Sequence, residues 1–203
     1  MTVALFGGSF DPVHNGHVNV VRSLLERVTD IDRVIIMPAA VNPFKAQTGT
    51  SASAEDRLQM CRLAFGHIPL CTVSDYEISK SGISYTVNTL EWLKESCPEC
   101  RIILTVGSDS LESLPKWHRA EDIFRMADIA AVSRSAQDNL RIAAFAEKAQ
   151  SAGARVMIVE TEPFEVSSTQ IREKILKNQD ISCYMDKNVV EYILSRHIYE
   201  RRK

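Results

Sequence analysis

The chain has 203 residues, 45% of them hydrophobic and 25% charged, with a net charge of −2 at pH 7 and a pI of about 6.2. This length supports a sizeable core, read as one domain over 1–203 with a helical C-terminal portion at roughly 167–198. The charge balance excludes binding of nucleic acid through a broad basic face, and no apolar run reaches the ~20 residues a bilayer requires. The N-terminus lacks a basic segment followed by an apolar one, so the expected location is the cytoplasm. Composition neither requires nor excludes a homo-oligomer.

Residues 3–6 form an apolar strand, and Gly7-Gly8-Ser9-Phe10-Asp11-Pro12-Val13-His14-Asn15-Gly16-His17 connects it to a helical pattern at 18–28. Strand, glycine turn and helix together present free backbone N–H groups to a phosphate. His14 and His17 are three residues apart, share a helix face and can meet one anion. A lone Gly-Gly is usually only a turn, and a lone surface histidine is usually only solvated. Here Gly-Gly, a Pro-fixed turn and His-x-Gly-His coincide in one short segment, which reads as a phosphate cradle. It is neither a Walker loop nor a dinucleotide fingerprint, because Gly-Lys-Ser/Thr and Gly-x-Gly-x-x-Gly are both missing.

Further strands are expected at 33–37, 72–75, 102–106, 129–132 and 156–159, with helices at 54–65, 86–95, 120–126, 140–149, 168–176 and 187–196. The apolar continuity of most strands implies burial on both faces. End-to-end alternation predicts an α/β fold, a doubly wound, Rossmann-like parallel sheet with helices on both faces. Ligands then bind at the carboxyl ends of the strands, where the glycine–histidine segment lies. Residues 42–53 are polar and aperiodic and read as a mobile loop carrying Lys45, either a solvated lysine or a cation for a leaving group. The tail from 199 to 203 reads as frayed.

Ser84-Tyr85-Thr86-Val87-Asn88-Thr89-Leu90 opens a helix, which a simple cap would explain. Gly107-Ser108-Asp109 follows a strand on the same rim, where Asp109 fits either a helix cap or a ribose hydroxyl. In Leu114-Pro115-Lys116-Trp117-His118-Arg119, the indole of Trp117 suits either core packing or stacking on a heteroaromatic ring. No Asp or Glu occurs in 79–88 or 114–119 to repel an anionic ring substituent. Val166-Ser167-Ser168-Thr169-Gln170-Ile171-Arg172 holds more hydroxyls than one cap needs, with Arg172 one turn into the helix, and reads as a second phosphate site. The five cysteines lack a regular framework and fit reduced thiols. Cys97-Pro98-Glu99-Cys100 is either a helix end meeting a strand or a redox pair, and no further zinc ligands stand out near it.

These residues carry a family resemblance. Gly7–His17 resembles the Gly-x-Phe-Asp-Pro-x-His-x-Gly-His element of the nucleotidyltransferase superfamily marked by His-x-Gly-His, and 166–172 its Ile-Ser-Ser-Thr-x-Ile-Arg element. Ser84-Tyr85-Thr86-x-Asn88-Thr89-Leu90, Gly107-Ser108-Asp109 and Leu114-Pro115-x-Trp117 are most similar to the bacterial nicotinate-mononucleotide adenylyltransferases. The resemblance implies adenylyl transfer from ATP to nicotinate mononucleotide in NAD biosynthesis, with Mg²⁺ accompanying ATP and no metal-ligating residue. It implies catalytic roles for His14, His17, Lys45 and Arg172, and ATP contacts from Gly8, Ser9, Phe10, Gly16, Ser168 and Thr169. Thr86 and Trp117 would hold the nicotinate ring, Gly107 and Asp109 would lie beside the sugars, and Arg134 would contact substrate. The chain departs from the family at Ala39, Phe44 and Asn88, and lacks Pro-Gly after Arg134. The competing expectations are phosphopantetheine adenylyl transfer, in usually shorter chains, and a non-catalytic nucleotide sensor.

Overall fold

The computed structural model describes residues 1–43, 52–150, 153–164 and 166–200, with the side chains of 109 and 148 left aside. Six strands, β1 (Thr2–Gly8), β2 (Arg33–Pro38), β3 (Cys71–Val73), β4 (Arg101–Gly107), β5 (Asp128–Ser133) and β6 (Val156–Glu160), form one sheet in the order β3-β2-β1-β4-β5-β6. Every pairing is parallel. The chain winds outward from β1 through β2 to β3, then returns to lay β4 against the other side of β1. That reversal opens a crevice at the carboxyl ends of β1 and β4, the position where doubly wound sheets bind ligands.

Strand periodicity divides the core. Ala4 and Phe6 of β1 face one side of the sheet, Val3 and Leu5 the other, and all four are buried. The first face is covered by α1 (Asn15–Arg27), α2 (Ala54–Phe65), α8 (Ser168–Leu176) and α9 (Lys187–Ser195), through Val18, Val21, Leu24, Phe65, Ile171 and Ile193 among others. The second is covered by α4 (Thr86–Ser96), α6 (Ala120–Met126) and α7 (Ala136–Gln150), through Val87, Leu90, Ile123 and Ile142. No helix among the described residues is long and apolar enough to cross a membrane.

Each expected strand is present, as are the main helices. Differences fall where tertiary contacts act on polar sequence. The strand expected at 72–75 ends at Val73, because Asp75 starts a short helix, α3 (Tyr76–Lys80), that no apolar period announced. A second short helix, α5 (Ser108–Leu111), opens where a helix cap was one of two readings, and a 3₁₀ turn spans Leu114–Lys116. The helix expected from residue 54 begins there, and residues 44–51 of the region read as a mobile loop lie outside the described residues. Ser53 accepts a hydrogen bond from the Asp56 N–H and caps α2, and the Ala52 N–H donates to Asp11. Lys45 lies outside the described residues. The frayed-tail reading fails at Tyr199, which is buried against the first core face.

The five cysteines as a set fitted reduced thiols, with a redox pair as one of two readings of Cys97-Pro98-Glu99-Cys100; Cys97 and Cys100 form a disulfide. The cause is local: Cys97 ends α4 by donating to the Leu93 carbonyl, and Cys100 turns back to donate to the Cys97 carbonyl, bringing the side chains together. The bridge sits at a helix carboxyl end, where the dipole disfavours a thiolate, unlike a nucleophilic Cys-x-x-Cys. Cys61, Cys71 and Cys183 are free, and burial raises the thiols of Cys61 and Cys71, the latter to about 11.

Arg57 in α2 is 1% exposed, yet it carries a guanidinium into the core. Its Nη1 donates to the Ser9 carbonyl at 2.7 Å and its Nη2 to the Ala40 carbonyl at 3.1 Å. It thus ties the loop after β1 to the loop after β2. We predict that Arg57→Met leaves both carbonyls unpaired and lowers unfolding free energy in urea by roughly 2–4 kcal/mol. Arg57→Lys should lose less, because its single ammonium reaches one carbonyl at a time.

Candidate functional site

The loop leaving β1 is shaped by two glycines that lie against aromatic rings. A Cβ on Gly8 would lie 3.1 Å from the Phe10 ring, and one on Gly16 would lie 2.8 Å from Phe164 and 3.0 Å from His14. Phe10 adopts a left-handed φ of 47° and turns its ring into the core beside Phe6 and Phe65. Gly8, Ser9, Phe10 and Gly16, four residues expected at a nucleotide, therefore stand on one continuous turn.

His14 is the N-cap of α1 and His17 is its third residue, with ring centroids 3.8 Å apart. The His14 backbone N–H donates to His17 Nδ1 at 3.1 Å. Nδ1 of His17 is therefore an acceptor, which places the proton of the neutral ring on Nε2. His14 stacks on Phe164 at 5.2 Å, and its Nδ1 is buried without a hydrogen-bond partner among the described residues. Burial lowers its pKa to about 4, with the charge of Arg134 as the second cause. Arg134 follows β5 and acts electrostatically on this imidazole. Arg134, expected to contact substrate, thus stands near enough to His14 for its charge to be felt there.

The segment 167–172 meets this loop from across the crevice. Ser167 is the N-cap of α8, in a capping box with Gln170, so one of the three hydroxyls is a cap. The Ser168 hydroxyl donates to the Pro12 carbonyl at 2.9 Å. Arg172 Nη1 donates to the Asp11 carbonyl at 2.6 Å, and its Nη2 to Thr169 Oγ1 at 3.2 Å. Both expected phosphate elements are thus joined by direct hydrogen bonds.

Beside the loop is a cavity of about 480 Å³, lined by Gly8, Thr86 and Trp117 among others. Trp117 Nε1 donates to Ser113 Oγ at 3.1 Å, which fixes the indole while its ring lines the cavity. Thr86 is the first residue of α4, whose N-cap, Tyr85, supplies no side-chain cap. The plain-cap reading of this segment therefore does not hold, and the amino end of α4 faces the cavity. From the segment after β4, it is Ser110 that lines the cavity, with Gly107 as the N-cap of α5. The side chain of Asp109 is outside the described residues.

Three cavity residues escaped the sequence reading. Lys116 and His118 stood in a segment quoted for its tryptophan, and both line the cavity. Glu77 lies just outside the window searched for carboxylates and lines it too. Burial raises its pKa, while the hydroxyls of Thr89, at 2.6 Å, and of Ser84 donate to it and oppose that rise. Thr105 Oγ1 is buried on the cavity wall with no hydrogen-bond partner among the described residues. Only the mixed environment of Glu77, a carboxylate inside an apolar rim, would have marked it in advance.

A parallel sheet with a glycine–histidine turn at its switch point, hydrogen-bonded to a Ser-Thr-Arg helix and flanked by a cavity, makes this an α/β protein with its candidate site at the carboxyl ends of the strands. The chain belongs to the cytidylyltransferase-like family, whose model matches residues 5–174. It is 34% identical over 201 residues to a protein of Hydrogenobaculum sp. named "Probable nicotinate-nucleotide adenylyltransferase", covering 99% of this chain and 100% of that one. A protein of the same name from Treponema pallidum is 34% identical over 204 residues, covering 98% and 99%. Among solved structures, the Plasmodium falciparum nicotinic acid mononucleotide adenylyltransferase complexed with NaAD aligns with a TM-score of 0.77 over 98% of this chain and 97% of that one. At 17% identity, that likeness speaks for the fold.

The imidazole of His14 carries a testable signature. Its folded pKa, about 4, lies below the unfolded value of 6.5, so between these values the unfolded chain binds more protons. Stability is therefore fully present above about pH 6.5 and is lost as pH falls toward 4. In His14→Asn this part of the pH–stability curve should flatten relative to the parent, as read by urea unfolding at half-unit pH steps.

Proposed function

We propose that the chain transfers the adenylyl group of ATP to nicotinate mononucleotide, giving nicotinate adenine dinucleotide and pyrophosphate in NAD biosynthesis. The observation that supports it most is that Gly8 both begins the phosphate turn and lines the ring cavity. A pyridine ring in that cavity would bring its own 5′-phosphate against the turn where the triphosphate lies. A flat, indole-walled cavity suits a planar ring better than the flexible arm of a pantetheine.

The chemistry needs positioning and charge stabilisation more than covalent participation. An oxygen of the mononucleotide phosphate attacks the α-phosphorus in line as the bond to pyrophosphate breaks. The N–H groups at the start of α1, His17 through Nε2, and Arg172 meet the charge that gathers on non-bridging and leaving oxygens. His14 is neutral in the free protein, and an incoming phosphate would raise its proton affinity and make it a cation where one is useful. Lys45, Ser168 and Thr169 are assigned to the triphosphate side on the same grounds, and Arg134, whose charge is felt at His14, to the substrate. Mg²⁺ would arrive with ATP: the turn offers N–H donors, a guanidinium and imidazoles in place of the oxygen ligands that Mg²⁺ takes, and among the described residues no group of three or more His, Cys, Asp or Glu side chains is placed to hold a metal ion. The whole of 1–203 is read as one catalytic domain located in the cytoplasm, with α8 supplying Arg172.

Ring choice follows from the cavity's charges. The amino end of α4 with Lys116 and His118 favours the carboxylate of nicotinate, while Glu77 opposes it with its charge drawn toward Thr89 and Ser84. Pyrophosphate release from ATP should show kcat/KM about 10- to 100-fold higher with nicotinate than with nicotinamide mononucleotide, the scale of one charged hydrogen bond lost. Equal values would remove this account of recognition, and no pyrophosphate with either would remove the transferase reading. Trp117→Ala should raise KM for the pyridine mononucleotide about tenfold with KM for ATP nearly unchanged, from the ~1–3 kcal/mol of a stacked ring. Parallel effects on both substrates would return the indole to a packing role.

A further inference from the structure

Asp11 lies in the phosphate turn and is buried. Its Oδ1 accepts from the Tyr199 hydroxyl at 2.8 Å and from the Ala52 N–H at 3.1 Å. Its Oδ2 stands 3.8 Å from the Arg172 guanidinium in a long ion pair, while Arg172 donates to the Asp11 carbonyl at 2.6 Å. Tyr199 comes from the far end of the chain, outside the residues matched by the family model. Its phenol is buried, and burial together with the charge of Asp11 keeps it protonated, hence a donor.

Resting on the adenylyl-transfer reading, we propose that Tyr199 is a positioning residue: by taking Oδ1 of Asp11 it holds the carboxylate turned away from a full ion pair with Arg172, so that the guanidinium keeps donors free for the triphosphate. The geometry supplies the reason. An arginine and a carboxylate meet best in a two-point pair, in which both oxygens accept from the fork. Here one oxygen is already occupied by two donors, and rotation toward Arg172 would strip the buried tyrosine hydroxyl of its acceptor. Without the hydroxyl that obstacle falls, Asp11 turns, and Arg172 is neutralised and withdrawn from the phosphates. The C-terminal turn thereby acts on the reacting end of ATP without touching it.

The test is a cycle on the full-length chain with Tyr199→Phe, Arg172→Lys and the double variant, measuring kcat, both KM values, ATP affinity by calorimetry and the melting temperature. Tyr199→Phe should lower kcat and ATP affinity about tenfold, with KM for nicotinate mononucleotide within about twofold of the parent. In the Arg172→Lys background the same change should alter either quantity less than about twofold, since the group through which Tyr199 acts is already altered. A tenfold loss in both backgrounds with a lowered melting temperature would show a merely structural role and overturn the proposal, as would unchanged kcat and affinity in Tyr199→Phe. A parent protein that binds ATP but releases no pyrophosphate would overturn the transferase reading alone, and the affinity arm of the cycle would still decide the role of Tyr199.

Discussion

The loops that leave β1 and β2 lie beyond the parallel ladder, and Arg57 takes its place. A backbone carbonyl withdrawn from water needs a donor, and Ser9 and Ala40 find theirs on one buried guanidinium. Around that tie the rest of the crevice assembles. Asp11 receives Tyr199 and Ala52, Arg172 reaches the Asp11 carbonyl, and Ser168 reaches that of Pro12. Three distant parts of the chain, at Ala52, in α8 and at Tyr199, thus converge on one short turn. The turn is ordered before any ligand arrives, so binding energy need not be spent on folding it.

The two halves of the crevice are charged by different means. Around the turn after β1, positive charge comes from Arg172, Arg134 and the start of α1, while burial and the charge of Arg134 lower the pKa of His14 to about 4. A group of that kind gains a proton only when an anion is present, which avoids concentrating permanent positive charge around the unliganded turn. On the ring side, Lys116, His118 and the amino end of α4 face a buried glutamate engaged by two hydroxyls. Under the proposed function, ring recognition there would be a balance between these opposed charges.

Legibility in the sequence followed how local the determining interaction was. His14, Gly16 and His17 announced the phosphate turn because their spacing is a property of one helix start. Thr86 and Trp117 were found because each sits in a compact motif, and both line one cavity. Arg57 was invisible: an arginine in an amphipathic helix reads as solvated, and only the two carbonyls it meets reveal otherwise. Glu77 and Tyr199 were missed for the same reason, one lying past the end of a motif and the other in a tail that polar composition marked as frayed.

By itself, then, the sequence determined the alternation of buried strands with helices, the doubly wound parallel class, and the chemistry of the glycine–histidine and serine–arginine elements. These depend on side-chain period, turn stereochemistry and helix-end hydrogen bonding, all of which act over a few residues. Tertiary structure decided which charges are buried, how they are paired and toward what they point. Asp11 and Tyr199 stand 188 residues apart and share one hydrogen bond. A pairing of that separation leaves no periodic trace, because it is the winding of the sheet and the packing of its covering helices that bring the partners together.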